Sequence, residues 1–314
     1  MSGNLRLGID IGATRTKGGI VDDAGIILAF NEWPSEGEAG PEKFILHLID
    51  SIEAMLEENG ELSPKVEFLG VAITGMVDLE KGIVHFSPNM KDFHHVHLGD
   101  ALKEYFPYEV IVDNDTTTAT WGEYLFGIEP KPGSLLGVFL GTGVGGGLVL
   151  NGKPWRGPLG SAGEIGHTVI EPDGPPCPCG SAGCLEVYIG AKGITSIYDG
   201  LLCQSGGCVP QGIEITPKFV YEIGKTGDPN ALATYSRIGR YLGIALANAV
   251  DLLSIDACVV GGKISAAADL FWKPMMAAFH KNILDAPNGA CQVHRSRLVD
   301  KSGILGAAFL RESV

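Results

Sequence analysis

Between Pro41 and Gly60, Phe44, Ile45, Leu48, Ile49, Ile52, Met55 and Leu56 recur at helical spacing. Pro41 stands near the start of that stretch and Gly60 at its end, so the pattern predicts one amphipathic helix. The chain before it reads differently. Leu7 to Thr14, LGIDIGAT, is a short apolar run closing in a glycine turn, followed by a second β-like run over Gly18 to Val21. Ile26 to Trp33 predicts a third strand, and Val66 to Thr74 and Val110 to Asp113 predict two more, each ending at polar residues. About 130 residues after the first hairpin the same grammar returns, as Leu136 to Gly143, LGVFLGTG, and a β-like run over Gly147 to Leu150. Later, Pro229 to Leu253 reads as a helix, Ile255 to Val260 as a strand ending at Gly261-Gly262, and Ser265 to Leu284 as a helix that Pro274 should start or kink. Gly303 to Arg311 closes the chain as a short helix. Thr116 to Phe126 reads as helical as well.

Strands alternating with helices through long crossovers predict an α/β fold with a mixed sheet in each half. The repeated hairpin implies two related domains, expected over residues 1–118 and 119–302, with the helix at 303–314 returning to the first. Two such domains would leave a central cleft, where small-molecule sites usually lie. A chain of 314 residues is long enough for two cores, and 45% hydrophobic with 19% charged residues describes an ordinary globular protein. A formal net charge of −14 argues against a nucleic-acid or anionic-membrane partner. Arg6 opens a strand-like run rather than preceding an apolar core, so no signal peptide is expected. Ser134 to Asn151 is the longest uncharged stretch, and six glycines break it, so no membrane span is expected. An odd count of seven cysteines points to a reducing compartment, the cytoplasm.

The densest chemistry lies between Glu164 and Glu186, EIGHTVIEPDGPPCPCGSAGCLE. His167, Cys177, Cys179 and Cys184 form a Cys₃His set, a full tetrahedral complement for Zn²⁺ that leaves no position open for water. Such a metal is structural, and its expected task is to fix the segments bearing Glu164 and Glu186. Cys203, Cys208, Cys258 and Cys291 read as incidental or buried thiols.

Two glycine turns are candidate phosphate loops, because a tight glycine turn exposes backbone N–H groups without side-chain obstruction. The first is Asp10-Ile11-Gly12-Ala13-Thr14, followed by Lys17; the second runs from Gly141-Thr142-Gly143 to Gly147. Asp10, at a strand end, could hold Mg²⁺ through water. Gly141, Gly143 and Gly146 also satisfy G-x-G-x-x-G, yet a β-like run follows where a dinucleotide fold needs a helix. Asp113-Asn114-Asp115 ends a strand: a carboxylate there can take a proton from a substrate hydroxyl, although Asp115 could equally be a helix N-cap. Thr74-Gly75, Asp78 and Asn89 add polar groups or turns at other strand ends.

From Leu7 to Leu310 the chain resembles the ROK sugar kinases, the bacterial-type glucokinases above all. The resemblance rests on the first phosphate loop, the Gly75-Met76-Val77-Asp78 turn, Asn89, Asn114-Asp115, the second phosphate loop and the zinc segment. It implies a two-domain actin/hexokinase-like (ribonuclease H-like) fold and ATP-dependent phosphorylation of the 6-hydroxyl of a hexose, glucose foremost. Asp115 would then be the catalytic base, and Gly75, Asn89, Asn114, Glu164, His167 and Glu186 would bind the sugar. Asp10, Gly12, Ala13, Thr14, Lys17, Gly141, Thr142 and Gly143 would serve ATP and Mg²⁺, with Gly261-Gly262 on the adenosine side. A homodimer or homotetramer is implied too. An N-acetylmannosamine or N-acetylglucosamine kinase is the close alternative, and a silent sugar sensor or a ROK-type repressor the alternative of another class. The strand beginning by Leu5 leaves no room for an N-terminal helix-turn-helix, which weighs against a repressor. Two departures stand out. Ala13 replaces the usual glycine, and Met90 to His97, MKDFHHVH, lacks the usual Gly-Trp and carries three histidines, read as surface residues with a second metal site as the alternative.

Overall fold

The structure, a computed structural model, describes residues 4–209, 212–285 and 290–314. In chain order its elements are β1 (Leu5–Ile11), β2 (Arg15–Val21), β3 (Ile27–Pro34), α1 (Pro41–Glu58), β4 (Val66–Ile73), β5 (Met76–Asp78), β6 (Ile83–Phe86), β7 (His94–Val96), α2 (Leu98–Tyr105), β8 (Glu109–Asn114) and α3 (Asp115–Gly122). There follow β9 (Ser134–Leu140), β10 (Val144–Leu150), β11 (Lys153–Pro154), α4 (Glu186–Ile189), α5 (Ala191–Gln204), α6 (Pro217–Lys225), α7 (Pro229–Leu253), β12 (Ala257–Gly261), α8 (Ala268–Asn282), β13 (Gln292–Arg295) and α9 (Ser302–Ala308). The chain forms two units, one of residues 1–132, 147–163 and 297–314, the other of residues 133–146 and 164–296.

The first unit is built on a sheet ordered β3-β2-β1-β4-β8. β1 to β3 pair antiparallel, and β4 and β8 lie parallel to β1. The apolar stripe of α1 buries Phe44, Leu48, Ile49, Ile52 and Met55 in the same core as Leu7, Ile9, Val71 and Val112 from the sheet. At about 25 cal/mol per Å² of apolar surface, that burial is the main force holding the layer. α9 lies directly against the backbone of β1 and β4: a Cβ on Gly8 would overlap the carbonyl of Ile304, and one on Gly70 that of Ala307. These glycines serve close approach rather than a turn.

The second five-stranded sheet is ordered β11-β10-β9-β12-β13, with β12 parallel to both β9 and β13. Numbered along its own segment, each sheet thus has the order 3-2-1-4-5, so the repeated hairpin seen in the sequence extends to topology. In the second unit α7 turns its face of Ile238, Leu242, Ala245 and Leu246 inward. Pro274 lies inside α8, which begins at Ala268 after a short 3₁₀ turn (Lys263–Ala267), so the proline does not start that helix. Among the described residues, no helix is long and apolar enough to cross a membrane.

Candidate active site

In the first unit the candidate base is held from three sides. Thr74 Oγ1 donates to Asp115 Oδ2 at 2.7 Å, and Asn114 Nδ2 (3.1 Å) and Thr116 N (2.9 Å) both donate to Oδ1. Asp115 is the first residue of α3 and not its cap. The cap is Asn114, whose Oδ1 accepts from the backbone N–H groups of Thr116 and Thr117. Asn114 also donates to the Gly75 carbonyl at 3.0 Å, so one side chain starts the helix, ties it to the β4–β5 turn and orients the carboxylate. Burial raises the pKa of Asp115, and the hydrogen bonds from Thr74, Thr116 and Asn114 only partly offset that.

Asp113, two residues earlier, has a different fate. Its side chain is 4% exposed and its Oδ2 lies 2.8 Å from the Arg156 guanidinium, while its Oδ1 accepts the Asn114 N–H at 2.8 Å. Arg156 in turn donates to Ser313 Oγ at 2.7 Å. The sequence places two carboxylates together at this strand end; the fold pairs one with a cation and surrounds the other with hydrogen-bond donors. Asp113 is therefore a structural anchor for the strand end that carries Asn114 and Asp115.

Gly75 has φ +126° and lies so close to the Phe86 carbonyl that no Cβ fits. This contact brings the turn before β5 against the end of β6, where Ser87-Pro88-Asn89 begins, and Asn89 is exposed. The first glycine loop is braced from below by Ser35, 1% exposed, which the sequence gives no reason to single out. Ser35 Oγ donates to the Gly12 carbonyl at 2.8 Å, and its N–H donates to that of Thr14 at 3.1 Å. Gly12 N donates to Arg15 O at 3.1 Å and closes the turn, leaving Ala13 and Thr14 exposed at its tip. Lys17 Nζ lies 3.1 Å from the Asp300 carboxylate. Asp10, next to last in β1, has its carboxylate over Gly303, where a Cβ would sit 2.5 Å from it.

The second unit gathers the remaining candidates. Gly141 N donates to the Gly143 carbonyl at 2.9 Å, and Ala191 N, at the start of α5, donates to the carbonyls of Gly141 (3.1 Å) and Thr142 (3.2 Å). Glu186 Oε2 accepts the Val144 N–H at 2.9 Å, so this carboxylate clamps the end of the glycine loop. Gly262, at φ +82°, packs against the backbone of Leu140 and brings the Gly261-Gly262 turn beside the start of the same loop.

His167, Cys177, Cys179 and Cys184 offer ligand atoms that all lie within 4.8 Å of one another. Cys179 and Cys184 sulfurs are 3.6 Å apart, and Cys177 Sγ is 3.7 Å from His167 Nδ1. Zinc bonds of about 2.3 Å to sulfur and about 2.0 Å to nitrogen place tetrahedral ligands roughly 3.5–3.8 Å apart. The donor set therefore fits the ion. Backbone bonds shape it in advance: Cys177 N donates to Ser181 O at 2.7 Å, and Gly180, at φ +96°, turns the chain back toward Cys184. Burial pushes the Cys184 thiol up to about 12, while a backbone hydrogen bond from Ser181 lowers that of Cys179. The other imidazole nitrogen, Nε2, lies 4.0 Å from Glu164 Oε2, so one ring joins the sulfur cluster to a second sugar-ligand candidate.

Residues 6–313 match the ROK family model. The chain is 32% identical to a glucokinase of Thermotoga maritima, over 97% of this chain and 96% of that protein. Among solved structures it resembles a ROK family glucokinase from Streptomyces griseus in complex with glucose and AMPPNP, with 32% identity, a TM-score of 0.80 and coverage of 98% and 100% of the two chains. It also resembles a ROK family transcriptional regulator, a homologue of the E. coli Mlc protein, with 25% identity and a TM-score of 0.89 over 99% of this chain and 78% of that one.

Proposed function

The chain belongs to the ROK family, and from that premise we propose a sugar kinase that moves the γ-phosphoryl group of ATP to the 6-hydroxyl of a hexose, glucose first. Backbone similarity does not separate kinase from regulator, since both kinds of relative share the fold. One observation carries the choice: Asp115 is fixed by Thr74, Asn114 and Thr116 at the start of α3, with its neighbour Asp113 already neutralised. A sensor needs no carboxylate so placed; a phosphoryl acceptor needs a group that takes its proton.

In phosphoryl transfer the protein mainly positions groups and stabilises charge. Asp115 accepts the hydroxyl proton. Glu164, His167 and Glu186 receive ring hydroxyls, Asn89 and Gly75 belong to the same task, and Asn114 acts through Asp115 as a positioning residue. The N–H groups of the two glycine loops, with Thr14 and Thr142, receive phosphate oxygens, and Gly261-Gly262 receives the nucleoside end. Asp10 would hold Mg²⁺, which would supply charge neutralisation on the phosphates. His167, Cys177, Cys179 and Cys184 would hold Zn²⁺, and with four protein ligands it would supply rigidity rather than chemistry.

The direct test is ADP release with ATP and a panel of glucose, mannose, N-acetylmannosamine and N-acetylglucosamine. The highest kcat/KM is expected with glucose; ADP release with no sugar of the panel would remove the kinase reading, and preference for an N-acetylated sugar would move the substrate. A pH profile adds an independent check. Asp115 must be ionised to act and burial raises its pKa, so kcat/KM should fall with acidity at a pH above the ordinary aspartate range. An acid limb within or below that range would contradict the assignment.

Gly143→Val should act through Glu186. A Cβ at Gly143 would overlap the Glu186 carboxylate, so the substitution dislodges the clamp on Val144. A hydrogen bond to a charged group contributes about 1.5–3 kcal/mol, or about 10–100-fold. Both the KM for ATP and that for the sugar should therefore rise, because one carboxylate serves both sides. Normal kinetics toward both substrates would show that the loop does not depend on Glu186.

A further inference from the structure

The three histidines of the Met90 to His97 segment do not act as one group. His94 tilts its ring over Phe86 at 5.4 Å, and His97 Nδ1 lies 3.3 Å from Asp100. His95 turns to a fourth histidine on the neighbouring strand. The β6–β7 register pairs Val84 with Val96 and Phe86 with His94, which sets His85 directly opposite His95 on the other face of the ribbon. Their Nδ1 atoms are 3.1 Å apart, with the rings at 80°. We propose that His85 and His95 chelate a divalent transition-metal ion of the imidazole-preferring kind (Ni²⁺, Cu²⁺ or Zn²⁺), with Asp78 as the carboxylate behind His85.

Metal–nitrogen bonds of about 2.0–2.1 Å put two ligating nitrogens roughly 2.9 Å apart at a right angle and roughly 3.3 Å apart at the tetrahedral angle. The observed separation is that of a hydrogen bond between the two imidazoles and falls between these values, so a metal ion that displaces the shared proton finds the pair spaced for chelation without backbone movement. Asp78 Oδ2 lies 4.0 Å from His85 Nε2, on the far side of the ring. A carboxylate on that side of the ring favours a proton on Nε2, which makes His85 Nδ1 the acceptor in its hydrogen bond with His95 and a lone pair a metal can take. Asp78 is itself fixed by the Lys81 backbone N–H at 3.1 Å, and its Oδ2 also lies 3.4 Å from Lys81 Nζ. His95 has φ +53°, a left-handed conformation within β7 that a non-glycine residue adopts at a cost, and here it directs the ring to its partner. The pair is solvent-accessible, His85 being 36% exposed, so an ion can enter and keep water or a small anion in its remaining positions. Such an ion would pin β6 to β7. It would do so just before the chain reaches Ser87-Pro88-Asn89, on the ribbon whose first strand leaves Gly75. The site is independent of the sugar-kinase reading, and its own test needs no turnover.

The test is a calorimetric titration of untagged, zinc-loaded protein with Ni²⁺, followed in parallel by near-ultraviolet absorption. One equivalent should bind without thiolate-to-nickel bands, and that equivalent should vanish in His85→Gln and in His95→Asn. Asparagine tolerates the left-handed backbone, so the second variant keeps the fold. Asp78→Asn should weaken binding about 10–100-fold, the usual cost of losing the partner behind a metal-bound histidine. His94→Ala and His97→Ala should bind as wild type does. Absence of the equivalent in wild type, its persistence in both pair variants, or thiolate bands marking the ion at the cysteine cluster would overturn the proposal.

Discussion

Asp115→Asn should reduce kcat by about 10²–10⁴-fold, the usual effect of losing a general base, while leaving the fold and sugar affinity nearly intact. The geometry explains both halves of that expectation. Asp115 Oδ1 accepts from Asn114 Nδ2 and Thr116 N, whereas Oδ2 accepts from the Thr74 hydroxyl. An asparagine can keep its oxygen on the two N–H donors and turn its amide group to Thr74, whose hydroxyl then accepts. The network survives without the acceptor for the substrate proton. Each decade of rate corresponds to about 1.4 kcal/mol of barrier, so the loss amounts to about 3–5 kcal/mol. Steady-state kinetics beside a sugar-binding isotherm measure the two effects separately. A variant that is correctly folded and retains more than roughly a tenth of wild-type kcat would mean that another group takes the proton.

The second large effect is expected from the cysteine cluster. Carefully purified protein should carry one zinc per chain, and Cys179→Ser, which replaces a thiolate with a poor ligand, should lose it. Structural zinc contributes about 10–16 kcal/mol in small zinc-folded peptides; here the loop also has backbone hydrogen bonds of its own, so local loosening rather than global unfolding is expected. Sugar affinity should fall before ATP affinity. His167 contributes Nδ1 to the cluster and sets Nε2 toward Glu164, and the cluster's last ligand, Cys184, stands two residues before Glu186. The ATP side is not wholly insulated, because Glu186 clamps Val144. Metal content together with sugar and ATP isotherms, for wild type and variant, decides the matter. Undiminished sugar affinity in a zinc-free variant would separate the metal from the sugar site.

What the chain's local order determines is everything that repeats or clusters within a few residues. The apolar stripe of α1 has helical period, the runs before both glycine loops have strand character, and C-x-C-x₄-C after a histidine sets four candidate ligands in one short segment. The family resemblance rests on the same short-range motifs, and the matched residues 6–313 and the mixed α/β architecture agree with it. Tertiary structure alone decided which polar residues answer which. Nothing local distinguishes Asp113 from Asp115; an arginine 43 residues away neutralises the first, and a threonine 41 residues away orients the second. Ser35 lies 23 residues from the glycine it braces, Glu186 lies 42 from the amide it clamps, and His85 finds His95 only through the register of β6 and β7. Such partners leave no periodic trace, because a hydrogen bond or ion pair depends on where folding brings two atoms and not on their spacing along the chain. The capping role fell to Asn114 for a similar reason. Either neighbouring residue type can cap a helix, and the exit of β8 at Asn114, with extended backbone, set α3 to begin at Asp115.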